Sequence, residues 1–337
     1  MGIISVVISV APALGPTVGG AILNRFTWHV IFWAMVPLMA LILLAGLWRL
    51  TNVGESRDVP LDGVSVVLSA FAFGGLVYGL SSIEKMLTGG AWTEILISLV
   101  GVVALIVFIR RQQRLSLDDR ALMDLRPFRI RNFTLAVIIL LISFGLMLGM
   151  VTVLPIYLQT TLGATAFATG LAVMPGGIIQ AFLSPIVGRV FDSYGPRPLT
   201  IPGSLFMVVS LWLMATLGES STLWMVVGMH VLFSLGMCLM MTPLMTTALS
   251  SLAEKLYSHG SAIMNTFQQL AGAMGTAFLV VFLTRGTVAG AEAGMNAAAA
   301  TAQGTHWAFL FAGIAGIAIA VLSPMLKRCL LYTSPSP

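Results

Sequence analysis

Ten long apolar stretches separated by short loops dominate this sequence and constrain what it can fold into. Each is about 20 residues long, which is the length a helix needs to cross the bilayer core. The core holds no water to hydrogen-bond backbone N–H and C=O groups, so a crossing segment must satisfy them within a helix. Only 9% of the residues are charged, against roughly 25% in an average soluble domain, so the chain cannot build a hydrated surface. The sequence therefore predicts an all-α polytopic membrane protein, and it excludes a soluble enzyme, a disulfide scaffold and a disordered regulator. The stretches lie at about 3–23, 29–48, 63–81, 93–109, 133–155, 166–187, 199–217, 222–247, 260–284 and 306–326.

Basic residues are divided unevenly between the two alternating sets of loops. Of the 17 lysines and arginines, 14 lie in one set, and seven of these are arginines between positions 110 and 131. The opposite set holds only Arg25, Lys85 and Arg285. Because loops rich in Lys and Arg remain cytoplasmic, loop 110–131 is predicted to face the cytoplasm. The predicted location is the inner or plasma membrane, crossed many times. The Ala-rich stretch 289–304 is predicted to be the longest external loop, a flexible or weakly helical connector.

None of the 12 acidic residues lies well inside a predicted span. A charge at the bilayer centre costs at least ~2.5–3.5 kcal/mol, so it is retained mainly where function requires it. The sequence also lacks an HExxH helix, paired intramembrane aspartates and any Cys/His cluster. We therefore expect no enzyme activity and no metal or nucleotide cofactor. The basic excess, 17 residues against 12, is too small to indicate nucleic acid as a partner.

The strongest local pattern is APALGPTVGG at positions 11–20, which contains Gly15, Pro16, Gly19 and Gly20. Gly15 and Gly19 are spaced to form a face of small residues that lets a neighbouring helix approach closely. Pro16 removes a backbone donor and kinks the helix. Generic tight packing is one interpretation of this pattern, but the full GPxxGG is much rarer than a single GxxxG.

This pattern resembles the antiporter motif in the fifth helix of proton-driven drug exporters of the major facilitator superfamily, particularly the fourteen-helix EmrB/QacA-type branch. The resemblance covers about 1–327. Pro60-Leu61-Asp62-Gly63 is similar to the start of the extra central hairpin of fourteen-helix members. The stretch 124–133 (DLRPFRIRNF) is similar to the linker into the C-terminal bundle, and 154–159 (LPIYLQ) is similar to part of the helix pair that follows.

The resemblance implies a partial major facilitator fold, the last ten of fourteen helices in a chain truncated at its N-terminus. Residues 328–337 resemble translated adapter sequence and are expected to be a non-native tail. The implied parts are the last two helices of the N-terminal bundle (1–50), a central two-helix hairpin (51–110), a cytoplasmic linker (111–132) and a C-terminal six-helix bundle (133–327).

A predicted cytoplasmic loop holds Gly188, Asp192, Gly195 and Arg197, and it resembles the second-half copy of the superfamily's loop motif GxxxDRxGRR. Gly188 would permit close helix contact. Asp192 could face the positive N-terminus of the next helix and pair with Arg197, which would latch one conformation. Ser193 stands where the motif has Arg, so the latch is expected to be weaker. The alternative is a solvated turn with cytoplasmic charges.

Polar side chains inside the spans are candidates for lining a transport cavity. Span 260–284 carries small and polar residues on one helical face, and such a face must turn away from lipid. It could either bond neighbouring helices or line a cavity. His230 is the one ionisable side chain well inside a predicted span; it could be functional, or neutral and bonded to a carbonyl. The residues of that face are Ser261, Asn265, Gln268, Gly272 and Thr276, with Gln269 beside them, and the weaker candidates elsewhere are Gln159 and Gln180.

The resemblance implies export of hydrophobic, cationic drugs by proton antiport and alternating access, with the proton gradient as driving force. The implied partners are small hydrophobic substrates, membrane lipid and a periplasmic adaptor. Two alternatives remain open: an importer of a small polar solute from the same superfamily, and a membrane scaffold or partner subunit that does not transport.

Overall fold

The computed structural model describes Gly15 and residues 17–49, 62–89, 91–118 and 120–327. Residues 17–23 are helical and form α1. The helices that follow are α2 (His29–Arg49), α3 (Gly63–Ser81), α4 (Ile83–Thr88), α5 (Trp92–Leu115), α6 (Arg131–Thr160), α7 (Ala166–Tyr194), α8 (Arg197–Ala215), α9 (Leu223–Ser250), α10 (Glu254–Glu292) and α11 (Ala297–Leu322).

Within the described ranges, nine helices are long and apolar enough to cross a membrane: α2, α3 and α5 to α11. Each coincides with one of the predicted spans from 29–48 onward, which confirms the polytopic all-α class for this part of the chain. The first predicted span, 3–23, lies mostly outside the described residues, and α1 is its described end. The short helix α4 was not predicted.

Helices α6 to α11 pack around one hydrophobic core, with α6 in contact with α9, α10 and α11. The side chains of Phe133, Leu140, Val153 and Tyr157 along α6 are fully buried there. Tyr157 lies near the C-terminal end of α6, where its hydroxyl donates to the Gly218 carbonyl over 2.8 Å. The buried row explains why α6, rather than a more polar helix, occupies the centre.

Glycines set how closely α6 and α10 cross. A Cβ atom placed on Gly145 would lie 2.9 Å from the Ala271 carbonyl oxygen, and one on Gly149 would lie 2.8 Å from that of Gly275. Neither position leaves room for a side chain. The two helices are therefore in backbone contact, as small residues allow in lipid.

Helices α3 and α5 form an antiparallel hairpin that crosses at another glycine pair. A Cβ atom on Gly75 would lie 2.6 Å from the Gly101 Cα atom. The hairpin also packs against α10. This contact places it beside the six-helix bundle, at the helix that carries the predicted polar face.

The prediction that 289–304 is the longest external loop, a flexible or weakly helical connector, was wrong, because most of this stretch belongs to two long helices. Helix α10 continues to Glu292, and α11 begins at Ala297 after a turn in which Gly294 has a φ of +80°. Alanine has the highest helix propensity, and the Asn296 side chain caps α11 by accepting from the Ala299 N–H at 2.8 Å. A Cβ atom on Gly290 would lie 2.9 Å from the Ala300 Cα atom, so the two helices pack closely here too.

Candidate functional site

The polar face of α10 is the part of the predicted site that the structure leaves accessible. Asn265 and Gln269, one helical turn apart, are both exposed. The Asn265 amide donates to the Ser261 carbonyl over 3.0 Å. Between them, Gln268 is half-buried, and its Nε2 has no hydrogen-bond partner among the described residues. Amides on a membrane-spanning helix do not stably face lipid, so this face needs a polar neighbour, water or a ligand.

The rest of the predicted face on α10 packs inside the bundle. Gly272 is buried, and a Cβ atom there would overlap the Leu148 side chain on α6. Ser261 and Thr276 are half-buried. Gly272 therefore serves close packing against α6, whereas Asn265 and Gln269 are exposed, and the assignment of this face to a transport cavity stays a prediction.

His230 lies in the interface between α7 and α9. Its side chain is buried, at 8% exposure, and its Nδ1 atom has no hydrogen-bond partner among the described residues. The ring packs over Gly176, where an added Cβ atom would lie 2.7 Å from Nδ1 and would also overlap the Ser234 hydroxyl. Gly176 thus makes room for two polar groups of α9. The carbonyl partner considered from the sequence is not present in the described structure.

Gln159 lies at the end of α6, whereas Gln180 lies on α7 in the same interface with α9 as His230. Gln159 is exposed in the last turn of α6, next to the terminal Thr160. Gln180 is half-buried in the middle of α7, and its backbone carbonyl accepts a weak bond from the Cys238 thiol at 3.7 Å. Their assignment to a cavity stays a prediction.

The glycine-rich motif helix α1 contacts the six-helix bundle, though not through the glycines expected. No described atom lies within 4 Å of a Cβ atom built on Gly15 or Gly19, and Pro16 lies outside the described residues. Gly20 makes the close approach instead: its Cβ atom would lie 2.5 Å from the Ala166 carbonyl oxygen. Gly20 is about 100° further round the helix than Gly19, so it presents a different face.

A hydrogen bond accompanies this contact between α1 and α7. The Thr17 hydroxyl donates to the Gly170 carbonyl over 3.0 Å. The charge distribution predicts that the turn after α1 and the N-terminal end of α7 lie on the same, external side. The contact is therefore consistent with the predicted topology.

The prediction that a loop holds the motif was wrong for most of its residues: Gly188 and Asp192 lie within α7, Gly195 ends it, and Arg197 begins α8. Gly195 ends α7 with a φ of +81°, a conformation that favours glycine, and its N–H donates to the Phe191 carbonyl over 2.8 Å. Asp192 is exposed in the last turn of α7. The Arg197 Nε atom donates to the Leu326 carbonyl over 2.7 Å. No described atom lies within 4 Å of a Cβ atom on Gly188, so no described helix uses the close approach predicted there.

Sequence reasoning missed a polar cluster at the cytoplasmic end of the hairpin. Arg111 binds both carboxylate oxygens of Asp62, at 2.7 and 2.8 Å, and the Ser65 hydroxyl donates to the same carboxylate. The hydrogen bonds from Arg111 and Ser65 hold the pKa of Asp62 well below its ordinary value. The fully buried Gln112 extends the cluster, because it donates to Ser65 and accepts from the Met123 N–H at 3.0 Å.

A signal for this cluster was present in the sequence. Asp62 and Ser65 are spaced three residues apart at the start of a helix, a spacing typical of a helix N-terminus. Gln112, however, lies in the run RRQQR, which suggests a solvated end rather than a buried amide.

Comparison with known proteins gives one family and several relatives. The family model described as Major Facilitator Superfamily matches residues 1–276. The chain is 39% identical to the lincomycin resistance protein LmrB of Bacillus subtilis over 335 residues, which cover 97% of this chain and 69% of that protein. It is 38% identical to LmrB of Listeria monocytogenes over 98% of this chain and 68% of that protein.

A more distant relative carries a broader description. The multidrug export protein EmrB of Haemophilus influenzae is 31% identical over 282 residues, which cover 81% of this chain and 53% of that protein. The similarity to the two LmrB proteins covers nearly the whole chain and so includes the motif helix, the hairpin and the six-helix bundle.

Proposed function

This chain belongs to the major facilitator superfamily, and from that premise we propose that it exports hydrophobic, cationic drugs by proton antiport and alternating access. The observation that carries the proposal is the similarity of this chain to proteins whose names refer to drug resistance or drug export. For the LmrB proteins, this similarity extends along nearly the whole chain. These descriptions favour an exporter over the two alternatives, an importer of a polar solute and a scaffold that does not transport.

The open amides of α10 are the proposed drug-facing groups of the C-terminal bundle. Asn265 and Gln269 are exposed on a helix that is long and apolar enough to cross a membrane, where lipid would leave their hydrogen bonds unmade. A drug or water in a cavity between two bundles would satisfy them. We assign His230 and Gln180 a supporting position on α9 and α7, and Gln159 the edge of the same cavity.

The proposal includes the division of the chain and its partners. We take 1–50 as part of the N-terminal bundle, 51–110 as the hairpin, 111–132 as the linker and 133–327 as the C-terminal bundle. The motif at Gly188 to Arg197 would act as the cytoplasmic latch. A periplasmic adaptor is the proposed protein partner, to be tested by co-purification.

The efflux experiment uses lincomycin, the drug in the description of the LmrB relatives. The gene product is expressed in a bacterium that lacks its own drug exporters, and accumulation of labelled lincomycin is followed. We expect lower accumulation than in cells with an empty vector, and restoration of accumulation by a protonophore. Unchanged accumulation with lincomycin and a panel of hydrophobic cations would refute the export proposal. Efflux that persists with the protonophore would refute proton antiport alone.

A matched pair of variants tests the polar face. The double variant Asn265→Ala/Gln269→Ala is expected to reduce efflux at least about tenfold, because two polar groups lost from a binding face weaken drug contact. Gln113→Ala removes an exposed amide from the end of α5 and is expected to leave efflux unchanged. Equal effects of the two variants at equal membrane abundance would remove α10 from the proposed site.

A further inference from the structure

Five arginines are exposed where the chain passes from the hairpin to the six-helix bundle. Two are one helical turn apart at the end of α5, one follows that helix, and two flank the start of α6. We call these arginines, together with the exposed Leu117 and Leu122 between them, the linker surface. They are Arg110, Arg114, Arg120, Arg129 and Arg131.

The two remaining arginines of this region are paired with carboxylates of the protein itself. Arg111 is bound by Asp62, and the Arg126 Nε atom donates to the Asp124 carboxylate over 2.6 Å. Asp124 is 1% exposed and Asp62 is half-buried, so these carboxylates are used within the fold. Among the described residues of this segment, Asp118 is the one exposed acid. The linker surface therefore carries a concentrated positive charge.

The linker is held against the end of the bundle. The Met123 N–H donates to Gln112, and the Asp124 N–H donates to the His259 Nδ1 atom on α10 over 3.3 Å. The Phe128 ring packs against Phe267 of α10, with ring centroids 5.7 Å apart. These contacts fix the linker against the ends of membrane-spanning helices, and its arginines are exposed there.

Apolar side chains lie between the arginines. Leu117 is 84% exposed and Leu122 is 39% exposed. Both are in the short segment between α5 and α6, where Ser116–Asp118 forms one 3-10 turn. Exposed leucines among basic residues are typical of a segment that lies in the membrane interface, with the apolar groups inserted and the charges at the headgroups.

We propose that the linker surface binds anionic phospholipid headgroups and is thereby a lipid-binding site of the protein. The five guanidinium groups supply donors that match phosphate oxygens, and Leu117 and Leu122 anchor the segment among the acyl chains. This inference is independent of the transported substrate, because it rests on the cytoplasmic end of the fold and not on α10.

The test measures lipid binding directly. The purified protein in detergent is titrated with phosphatidylglycerol or with phosphatidylcholine of the same acyl chains, and bound lipid is counted by native mass spectrometry. We expect an apparent Kd at least about tenfold lower for phosphatidylglycerol, since each basic residue near an anionic surface contributes about fivefold. The variant R120Q/R129Q/R131Q is expected to lose this preference.

Two further variants decide whether the linker surface is specific. R189Q/K255Q/K327Q removes the same charge from exposed positions on the same predicted side and should keep the preference. R120K/R129K/R131K retains the charge and should also keep it, which guards against misfolding as the cause of a loss. Equal loss in both glutamine variants, or retained preference in R120Q/R129Q/R131Q, would overturn the proposal. Transport is not measured, so failure here leaves the export proposal unaffected.

Discussion

At the scale of single residues, the Asp62 carboxylate stabilises the hairpin through its ion pair with Arg111. Asp62 lies just before the first residue of α3, where a carboxylate also favours the positive end of the helix. Its bidentate bond to Arg111 on α5 joins the two helices of the hairpin at their predicted cytoplasmic end. Because the pKa of Asp62 is lowered in the fold, its contribution to stability depends on pH in a defined direction.

We expect the coupling between Asp62 and Arg111 to weaken in acid. A carboxyl whose pKa is lowered by folding stabilises the fold at pH values above its unfolded pKa, and this contribution decreases progressively as the pH falls from about 4 toward the lower pKa of the folded state. Thermal unfolding in detergent is measured from pH 7 to pH 3 for the wild type, Asp62→Asn, Arg111→Gln and the double variant. The double-mutant coupling should be constant above pH 5 and decrease below pH 4. A coupling that increases in acid would contradict the assignment.

At the scale of helices, glycine positions decide which elements meet. The α6–α10, α3–α5 and α10–α11 crossings all bring backbone against backbone at glycine. Where glycine faces open space, as at Gly228 on α9, it has no such role. A glycine at a crossing therefore allows two helices to pack closely, whereas a glycine that faces open space does not contribute to packing.

Gly275→Ala is expected to destabilise the bundle, because the new methyl group would overlap the Gly145 carbonyl on α6. Overpacking of this kind costs about 1–3 kcal/mol. Gly228→Ala is the matched control: it should be neutral or stabilise by up to about 1 kcal/mol, since alanine loses less backbone entropy in a helix. The melting temperatures in detergent give the comparison. Similar melting temperatures for the two variants would mean that α6 and α10 are not in backbone contact.

Predictability also differs by element. The family, the membrane location and the spans from 29–48 onward followed from hydrophobic length and motif order, and the family match and the helices confirm them. The continuation of α10 and α11 through 289–304 did not follow, because a run of alanine has no apolar periodicity that separates a loop from a helix. The role of Gly20 depends on which face of α1 meets α7, and spacing within one helix does not contain that information.

At the scale of the whole molecule, α1, which belongs to the proposed N-terminal bundle, contacts α7 of the proposed C-terminal bundle. The described contact is small: Gly20 against Ala166, and the Thr17 hydroxyl on the Gly170 carbonyl. Helix α2, which follows α1, adds nothing to this contact that buries a residue: none of its residues is buried by the described chain. A contact of this size can hold two bodies together and still be broken during a transport cycle.

We expect Gly20→Ala to separate α1 from α7, whereas Gly19→Ala should not. The added Cβ atom would overlap the Ala166 carbonyl in the first case and would meet no described atom in the second. Single cysteines at Val18 and Phe167, in a background without Cys238 and Cys329, are cross-linked with a short bifunctional reagent. The cross-linked fraction should fall severalfold for Gly20→Ala alone. Equal fractions for the two alanine variants would show that Gly20 does not set the contact.

The contact at Gly20 also has a consequence for the order of events in export. With the arginine-rich linker on the cytoplasmic side, the ends of α1 and α7 that touch are the external ends. In the proposed export cycle, this contact would belong to a form that is closed toward the outside and accepts cargo from the cytoplasm or the inner leaflet. Release would then require a glycine surface without side chains and one hydroxyl bond to part, an easily reversed step that would let the empty carrier return quickly for the next molecule.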